Sequence, residues 1–142
     1  MQTEQTPLID TLGIVGVLVT DQDEALDWYT DTLGFEKRTD ASFGPDSKWR
    51  WVTVAPKGQT EIEITLTRPD ADLHGEEKAE EMTEHIGHQR LGAFNTSDIE
   101  TAYEELRSRG VTFHTEPTEH SYGIDATFED LYGNWADLVE PV

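Results

Sequence analysis

Apolar and polar residues follow one another along the chain with two different periods, which predict strands and helices in a fixed order. Residues 13–19 form a β-branched apolar run that predicts a buried strand, and residues 21–33 carry apolar side chains at helical spacing. Further strands are predicted at residues 35–38, 49–55 and 61–66, and the last of these alternates strictly between apolar and polar positions. The first half of the chain therefore predicts the order βαβββ.

The second half of the chain repeats this order. Strands are predicted at residues 91–96, 111–114, 125–129 and 135–139, and a helix at residues 98–109. The two helices begin at Asp21 and Asp98, which lie 98 − 21 = 77 positions apart, and each helix is followed by a glycine. A tandem duplication identifies an architecture, so the sequence predicts an α+β fold of two βαβββ modules with one helix on one face of each sheet.

The length of the chain indicates one domain that contains both modules. A chain of 142 residues is long enough to bury a core but too short for two independent domains of ordinary size. We predict a single domain over residues 1–142, with a first module at about 12–67 and a second at about 89–141. Residues 68–88 form a polar linker with a short predicted helix near residues 76–85.

The charge of the chain changes this picture more than any other property of its composition. Thirty acidic residues against ten basic ones give a formal net charge of −20, and the acids are dispersed. Such a surface repels nucleic acid and anionic membranes, so neither is predicted as a partner. A cationic partner, a disordered chain and adaptation to high salt remain as explanations. The dispersed acids argue against the first and the periodic apolar residues against the second, so the sequence favours a halophilic protein.

The sequence offers no feature that directs the protein out of the cytoplasm. It has no cysteine, no apolar run of the roughly 20 residues needed to span a bilayer, and no basic segment followed by an apolar one at its start. The lack of cysteine excludes disulfides and thiolate catalysis. A cytoplasmic location is therefore the prediction.

Three segments of the chain resemble the vicinal oxygen chelate superfamily, which includes glyoxalase I, bleomycin-resistance proteins and extradiol dioxygenases. They are residues 19–35, residues 102–111 and residues 128–138, and Leu131 stands where the family usually has proline. The resemblance extends in order and spacing over about residues 12–140. It implies that the two mixed sheets curl into a cup, with the helices on the convex side and the ligand inside.

The resemblance also implies where metal ligands would lie. Enzymes of the family place up to four of them, one on the first and one on the last strand of each module. The corresponding positions here are Ile14, Glu63, Leu91 and Asp137, of which two are aliphatic. Two carboxylates without imidazole make a poor site for zinc and would hold magnesium only with waters, so no metal and no cofactor is predicted. Glu63 and Asp137 can also be read as a carboxylate pair for general acid–base catalysis.

The alternation of the strands predicts which side chains line the cup. With Glu63 facing inward, the same parity directs Glu61 and Leu91 inward as well. Tyr122, together with His120, lies on a loop that can gate the cup. The predicted ligand-binding residues are Trp49, Trp51, Glu63, Asn95, Tyr122, Trp135 and Asp137.

Two functions of different class follow from this pattern. The first is a metal-free binding protein, similar to the bleomycin-resistance branch, that holds a small aromatic or cationic organic ligand. The second is a lyase, isomerase or dioxygenase of the same superfamily that uses Glu63 and Asp137. The edge strands and the polar linker leave surface for a second chain, so a homodimer is also predicted.

Overall fold

A computed structural model describes residues 7–142, and within them it contains two four-stranded sheets. The first module consists of β1 (Ile14–Leu18), α1 (Gln22–Asp27), a π-helical turn (Trp28–Thr32), β2 (Glu36–Phe43), a short 3₁₀ turn (Pro45–Ser47), β3 (Trp49–Ala55) and β4 (Glu63–Thr67). The linker carries α2 (Ala71–His74) and α3 (Glu76–His85). The second module consists of β5 (Arg90–Asn95), α4 (Ile99–Ser108), β6 (Thr118–His120), β7 (Gly123–Glu129) and β8 (Trp135–Pro141).

The two sheets have the same topology. The strand order is β1-β4-β3-β2 in the first sheet and β5-β8-β7-β6 in the second. In each sheet the first and last strands of the module pair in parallel, and the other neighbours are antiparallel. The predicted α+β duplication of βαβββ modules is confirmed.

The helices of both modules begin with the same cap. The Asp21 carboxylate accepts a hydrogen bond from the backbone N–H of Glu24 at 3.0 Å, and the Asp98 carboxylate accepts one from Thr101 at 3.2 Å. Each bond satisfies one of the backbone donors that a helix N-terminus leaves unpaired. The repeated Asp of the sequence is therefore a repeated helix cap.

The ends of the two helices differ by one residue. Gly34 follows Asp21 by 13 positions, whereas Gly110 follows Asp98 by 12. The additional residue is accommodated by the π-helical turn at the end of α1, which is the usual result of a single insertion in a helix.

One face of each sheet packs against the helices and forms the core. In the first module the buried residues alternate along the strands: Val17, Val19, Val52, Val54, Ile64 and Leu66. In the second module the corresponding cluster contains Ala126, Phe128, Ala136 and Leu138. These helix-facing positions alternate with the cup-facing positions that the period-2 pattern predicts, Glu63 and Asp137 among them. We refer to the opposite face of each sheet as its open face.

The start of β4 corrects the prediction for residues 61–66. Ile62 has φ of 49°, in the left-handed region, so the backbone cannot continue as a strand through it. The ladder begins at Glu63, and Glu61 lies exposed in the turn instead of pointing inward from a strand.

The predicted strand at residues 111–114 is also wrong. Only one bridge forms there, between Phe113 and Phe128. The N–H groups of His114 and Thr115 both donate to the Thr127 carbonyl, and the Thr115 hydroxyl accepts the N–H of Thr127. These contacts interrupt the ladder, and regular pairing starts later, in β6.

Leu91 does not take its predicted place among inward-facing residues. The pairing of β5 with β8 shifts register between Arg90 and Gly92, and Gly92 has φ of 111°, which glycine adopts without a steric penalty. The bulge turns Leu91 toward the core, where it packs against the hydrophobic clusters of both modules.

The linker contains the predicted helix α3, with the predicted bounds, and the short helix α2 before it. The longest α-helices, α3 and α4, have ten residues each. Between residues 7 and 142, no helix has the length and apolar character to cross a membrane.

Candidate functional site

A buried carboxylate joins the two modules. Asp130, in the turn between β7 and β8, is 4% exposed and accepts four hydrogen bonds. The donors are the Tyr29 hydroxyl at 2.7 Å, the Tyr132 N–H at 2.9 Å, and the side chain and backbone N–H of Asn134 at 2.9 and 3.0 Å. Burial and the neighbouring Asp130 carboxylate raise the pKa of Tyr29 well above its usual value. With its acceptor positions occupied, Asp130 has a structural role.

The open face of the first sheet presents an aromatic ring and a carboxylate. Trp51, on β3, is 39% exposed, and Glu63 lies on the neighbouring strand β4, on the same face but further along the sheet. The Thr53 hydroxyl donates a 2.6 Å hydrogen bond to Oε1 of Glu63 and fixes its orientation. Ile14, opposite Glu63 on β1, is also exposed, so this face combines apolar surface with one oriented anion.

A small pocket of about 100 Å³ lies at the end of this face, beside Trp49. The indole Nε1 of Trp49 is buried, and no hydrogen-bond acceptor contacts it in the described part of the chain. Arg50 borders the same pocket and binds Asp40 and Asp23 at 2.9 and 2.6 Å. These hydrogen bonds raise the pKa of the Arg50 guanidinium, and the two carboxylates compensate its positive charge.

The open face of the second sheet carries a different arrangement, in which the aromatic ring is covered by an arginine of the same chain. The Arg90 guanidinium lies 5.0 Å from the centre of the Trp135 ring and 2.7 Å from the Asp137 carboxylate. The Thr127 hydroxyl donates to the other oxygen of Asp137 at 3.2 Å. The ring and the carboxylate are therefore already paired with a cation of the same chain.

Tyr122 extends this second cluster across the sheet. Its hydroxyl donates to Asp125 at 2.8 Å, and its ring stacks on His120 with 5.1 Å between centroids. His120 Nε2 lies 3.0 Å from the other oxygen of Asp125. The hydrogen bond to Asp125, then burial and the charges of Asp125 and Asp137, raise the pKa of the Tyr122 phenol.

The strand registers show that Glu63 and Asp137 do not occupy matching positions. Gly16 and Ala93 are related by the 77-residue repeat; Gly16 lies opposite Thr65, and Ala93 lies opposite Asp137. Asp137 therefore matches Thr65, which is two residues after Glu63. The sequence suggested an equivalence because both carboxylates are followed by an apolar residue, a pattern that strand alternation produces at every second position.

The donor groups present do not fit the metal site that the fold family implies. Ile14 has no donor atom, Trp135 stands at the position that matches Glu63, and Asp137 is held by Arg90. In the part of the chain that the structure describes, no cluster of three or more His, Asp or Glu side chains is placed to hold a metal ion. The chemistry of this face is that of aromatic and hydrogen-bonding contacts.

The predicted site residues form two clusters, one on each sheet. Trp49, Trp51 and Glu63 lie on the first sheet, and Tyr122, Trp135 and Asp137 on the second. In residues 7–142, neither the hydrogen bonds nor the ion pairs of these six side chains link one cluster to the other. Asn95 belongs to neither cluster and borders a cavity elsewhere.

That cavity, of about 400 Å³, lies between the modules on the helix side of the second sheet. Its lining residues come from both modules: Leu33, Phe35, Pro56, Gln59, Ala93, Phe94, Asn95, Thr96, Ala102, Glu105, Leu106, Arg109, Phe128 and Leu138. Sequence reasoning missed it because a pattern of apolar positions predicts burial, and only tertiary packing leaves space between the buried residues.

Comparisons with known proteins cover both modules. A family model described as Glyoxalase/Bleomycin resistance protein/Dioxygenase superfamily matches residues 11–138. The uncharacterized protein YurT of Bacillus subtilis (strain 168) is 36% identical over 130 residues, which cover 89% of this chain and 96% of that protein. The crystal structure of UcmS2 matches with a TM-score of 0.83 and 36% identity, over 94% of this chain and 99% of that one. TnmS3, described as an antibiotic binding protein from Streptomyces sp. CB03234, matches with a TM-score of 0.75 and 28% identity, over 96% and 100%.

Proposed function

We propose that this chain, which belongs to the glyoxalase/bleomycin resistance protein/dioxygenase superfamily, is a metal-free binding protein for a small, flat organic molecule. The observation that carries the proposal is the pair of half-exposed rings, Trp51 and Trp135, each 39% exposed and each on an open face with an oriented carboxylate. Exposed tryptophan supplies a large apolar contact area, and a fixed carboxylate selects for a hydrogen-bond donor or a cation.

The ligand chemistry follows from the groups on the two open faces. Glu63 offers an acceptor on the same face as Trp51, and Asp137 offers one beside Trp135 once Arg90 moves aside. An aromatic ring that carries hydroxyl, amino or amidine groups would use both the stacking surface and the acceptors. TnmS3 is described as an antibiotic binding protein, and we extend antibiotic binding to this chain, with planar aromatic antibiotics as the first compounds to test because they suit the exposed rings.

Isothermal titration with a panel of aromatic antibiotics tests the proposal, and Trp51→Ala and Trp135→Ala identify the surface. Loss of either ring removes most of the stacking contact, so we expect affinity to fall at least about tenfold, equivalent to ~1.4 kcal/mol. Tyr103→Ala is the matched control because this aromatic residue lies on α4, outside both open faces, with Arg107 over its ring.

The control variant should bind within about twofold of the parent protein. Equal binding by the parent, Trp51→Ala and Trp135→Ala would contradict the proposal. Turnover of a bound compound that is lost in Glu63→Gln would contradict a pure binding function and favour the lyase, isomerase or dioxygenase alternative.

The proposed site is completed in a homodimer. In the described part of one chain the open faces expose apolar side chains without a cover, including Ile14 and Trp51. A second copy can bury this surface and bring the open face of one sheet toward that of the other, so that two chains form each cup. Light scattering in molar KCl tests this: a mass near twice 16.0 kDa is expected, and a mass near 16.0 kDa would contradict it.

The acidity of the surface supports a protein adapted to high salt. A formal charge of −20 produces self-repulsion that molar salt screens to a range of about 3 Å. We expect the denaturant midpoint to rise from 0.1 M to 3 M KCl. Equal stability in both would argue against a halophilic origin.

A further inference from the structure

We infer that the cavity between the modules is a second binding site, separate from the open faces, for an uncharged planar aromatic molecule that carries an amide. We call this cavity the seam cavity. It is lined by α4, by the helix side of the second sheet, and by Leu33, Phe35, Pro56 and Gln59 of the first module. None of the tryptophan or carboxylate residues of the proposed open-face site lines it.

The seam cavity exists because the two modules fill matching positions differently. Around α1, the apolar pocket closed by Ala25 and Tyr29 is covered by Leu131 and Tyr132 from the turn between β7 and β8. The Tyr29–Asp130 hydrogen bond holds that turn in place. The seam on this side therefore keeps only a smaller pocket, of about 170 Å³.

Around α4, the corresponding side of the seam is left open. By the 77-residue repeat, Ala102 matches Ala25, and Leu106 stands where the first module has the larger Tyr29. The turn between β3 and β4 contributes only Pro56 and Gln59. Since no bulky side chain of that turn enters, the space that Leu131 and Tyr132 fill around α1 remains empty around α4.

The walls of the seam cavity suit a flat aromatic ring. Phe35, Phe94 and Phe128 stand in sequence along it, with ring centroids 5.4 and 6.4 Å apart. Phe35 and Phe94 are partly exposed, whereas Phe128 is buried, and tilted aromatic pairs of this kind can accept a further ring. A volume of about 400 Å³ is within the usual range for small-molecule sites.

Polar groups at the seam cavity are suited to an amide. Residues 93–95 of β5 border it, and β5 has β8 as its neighbour on one side only. Within residues 7–142 the other edge of β5 therefore presents backbone N–H and C=O groups without strand partners, which an amide can bond as both donor and acceptor. The side chain of Asn95 adds a further amide at the same edge.

The charges at the rim favour an uncharged ligand. Arg109 and Glu105 both border the cavity, but they bind each other at 3.2 Å, and Arg109 also donates to the Thr32 carbonyl at 3.0 Å. Neither charge is available to a ligand without breaking this pair. The net charge of −20 further disfavours an anion.

The test uses naphthalene-2-carboxamide as the probe and 2-naphthoate as its charged counterpart, measured by isothermal titration and NMR on the full chain. We expect saturable binding of the carboxamide, with the naphthoate weaker by at least about tenfold. Ala102→Leu fills the cavity from α4 and should weaken carboxamide binding by at least about tenfold. Trp51→Ala is the matched control on the open face and should leave that affinity within about twofold.

Nuclear Overhauser effects on the unmodified protein locate the probe without any substitution. Contacts from the naphthalene protons to the methyl groups of Leu33, Leu106 and Leu138 are expected. The inference is overturned if the carboxamide does not bind saturably, if those contacts are absent, or if Trp51→Ala abolishes binding while Ala102→Leu retains it. The last outcome would assign the probe to the open face and leave the proposed function intact.

Discussion

The two modules bury the corresponding face of each sheet against their helices, but their open faces differ in chemistry. Both begin their helix with a capping Asp, and both bury alternate residues of the same strands. On the open faces, the position of Glu63 in the first module is taken by Trp135 in the second, and that of Thr65 by Asp137. Core packing constrains one face of each duplicated sheet and leaves the other free to change, so a ligand meets different chemistry on each half.

The same comparison applies to the seam between the modules. On one side the turn containing Asp130 reaches α1 and leaves a pocket of about 170 Å³, and on the other side the turn between β3 and β4 leaves a cavity of about 400 Å³. A duplication therefore conserves topology more strictly than it conserves the contacts between its halves. Substitutions at matched positions should reveal this difference as unequal effects on the free energy of unfolding.

The largest effect is expected from Asp130→Ala, which removes the filled side of the seam. The substitution leaves the Tyr29 hydroxyl and the N–H groups of Tyr132 and Asn134 buried without an acceptor. We expect the free energy of unfolding to fall by about 4 kcal/mol in a urea titration. Asp31→Ala, an exposed acid in the π-helical turn, is the control and should change it by less than about 0.5 kcal/mol. Equal effects would show that Asp130 does not hold the modules together.

Leucine truncation at matched positions compares the two sides directly. Leu66 is fully buried on the packed side, and Leu138, its counterpart, borders the seam cavity. We expect Leu66→Ala to lower the free energy of unfolding by about 3 kcal/mol and Leu138→Ala by about 2 kcal/mol, since fewer contacts surround the second side chain. Denaturant midpoints at a common slope measure both, and a larger loss for Leu138→Ala would contradict an open seam around α4.

Alanine enlargement should give effects of opposite sign. Ala25, on the sheet-facing side of α1, is fully buried. Ala25→Leu therefore overpacks the core under α1 and is expected to lower the free energy of unfolding by about 2 kcal/mol. Ala102 borders the seam cavity, so Ala102→Leu has room and should raise it by about 0.5 kcal/mol through added apolar burial. Calorimetric melting temperatures measure the pair. Destabilisation of equal size in both would mean that the cavity cannot accept a larger side chain.

The sequence predicted what local rules determine. Strand alternation placed Val52, Val54 and Leu66 in the core, and the capping pattern placed both helix starts, because these depend on residues close in sequence. The errors at Ile62 and Leu91 come from a left-handed residue and a bulge, whose conformations are set by tertiary contacts that a period-2 pattern cannot contain.

The candidate site was less accessible to sequence reasoning than the fold. Alternation identified the sheet faces on which Trp51, Glu63 and Trp135 lie. The cation–π contact of Arg90 with Trp135 depends on the register shift in β5, which alternation does not predict. The seam cavity depends on which of two turns carries bulky side chains across the interface. That property involves residues far apart in the sequence and has no signature in a local pattern.

The smallest expected effects on the free energy of unfolding come from one carboxylate in each module, and they differ in how they depend on pH and salt. Hydrogen bonding and charge pairing with Arg50 hold the pKa of Asp40 in the first module below its usual value of 3.8, whereas bonds from Thr101 lower the pKa of Asp98 in the second. A lowered folded-state pKa contributes stability above the unfolded value, which is lost as the pH falls through the folded pKa. Asp40→Asn should therefore lower the free energy of unfolding at pH 7 by less than about 1 kcal/mol, and this difference should vanish below the folded pKa.

Because the Asp40–Arg50 pair is exposed and ionic, 1 M KCl should reduce its contribution, while the difference measured for Asp98→Asn should be nearly independent of salt. Urea titrations between pH 2.5 and 7 at two salt concentrations measure both variants, and an Asp40→Asn difference that does not respond to salt would contradict an ion-pair origin.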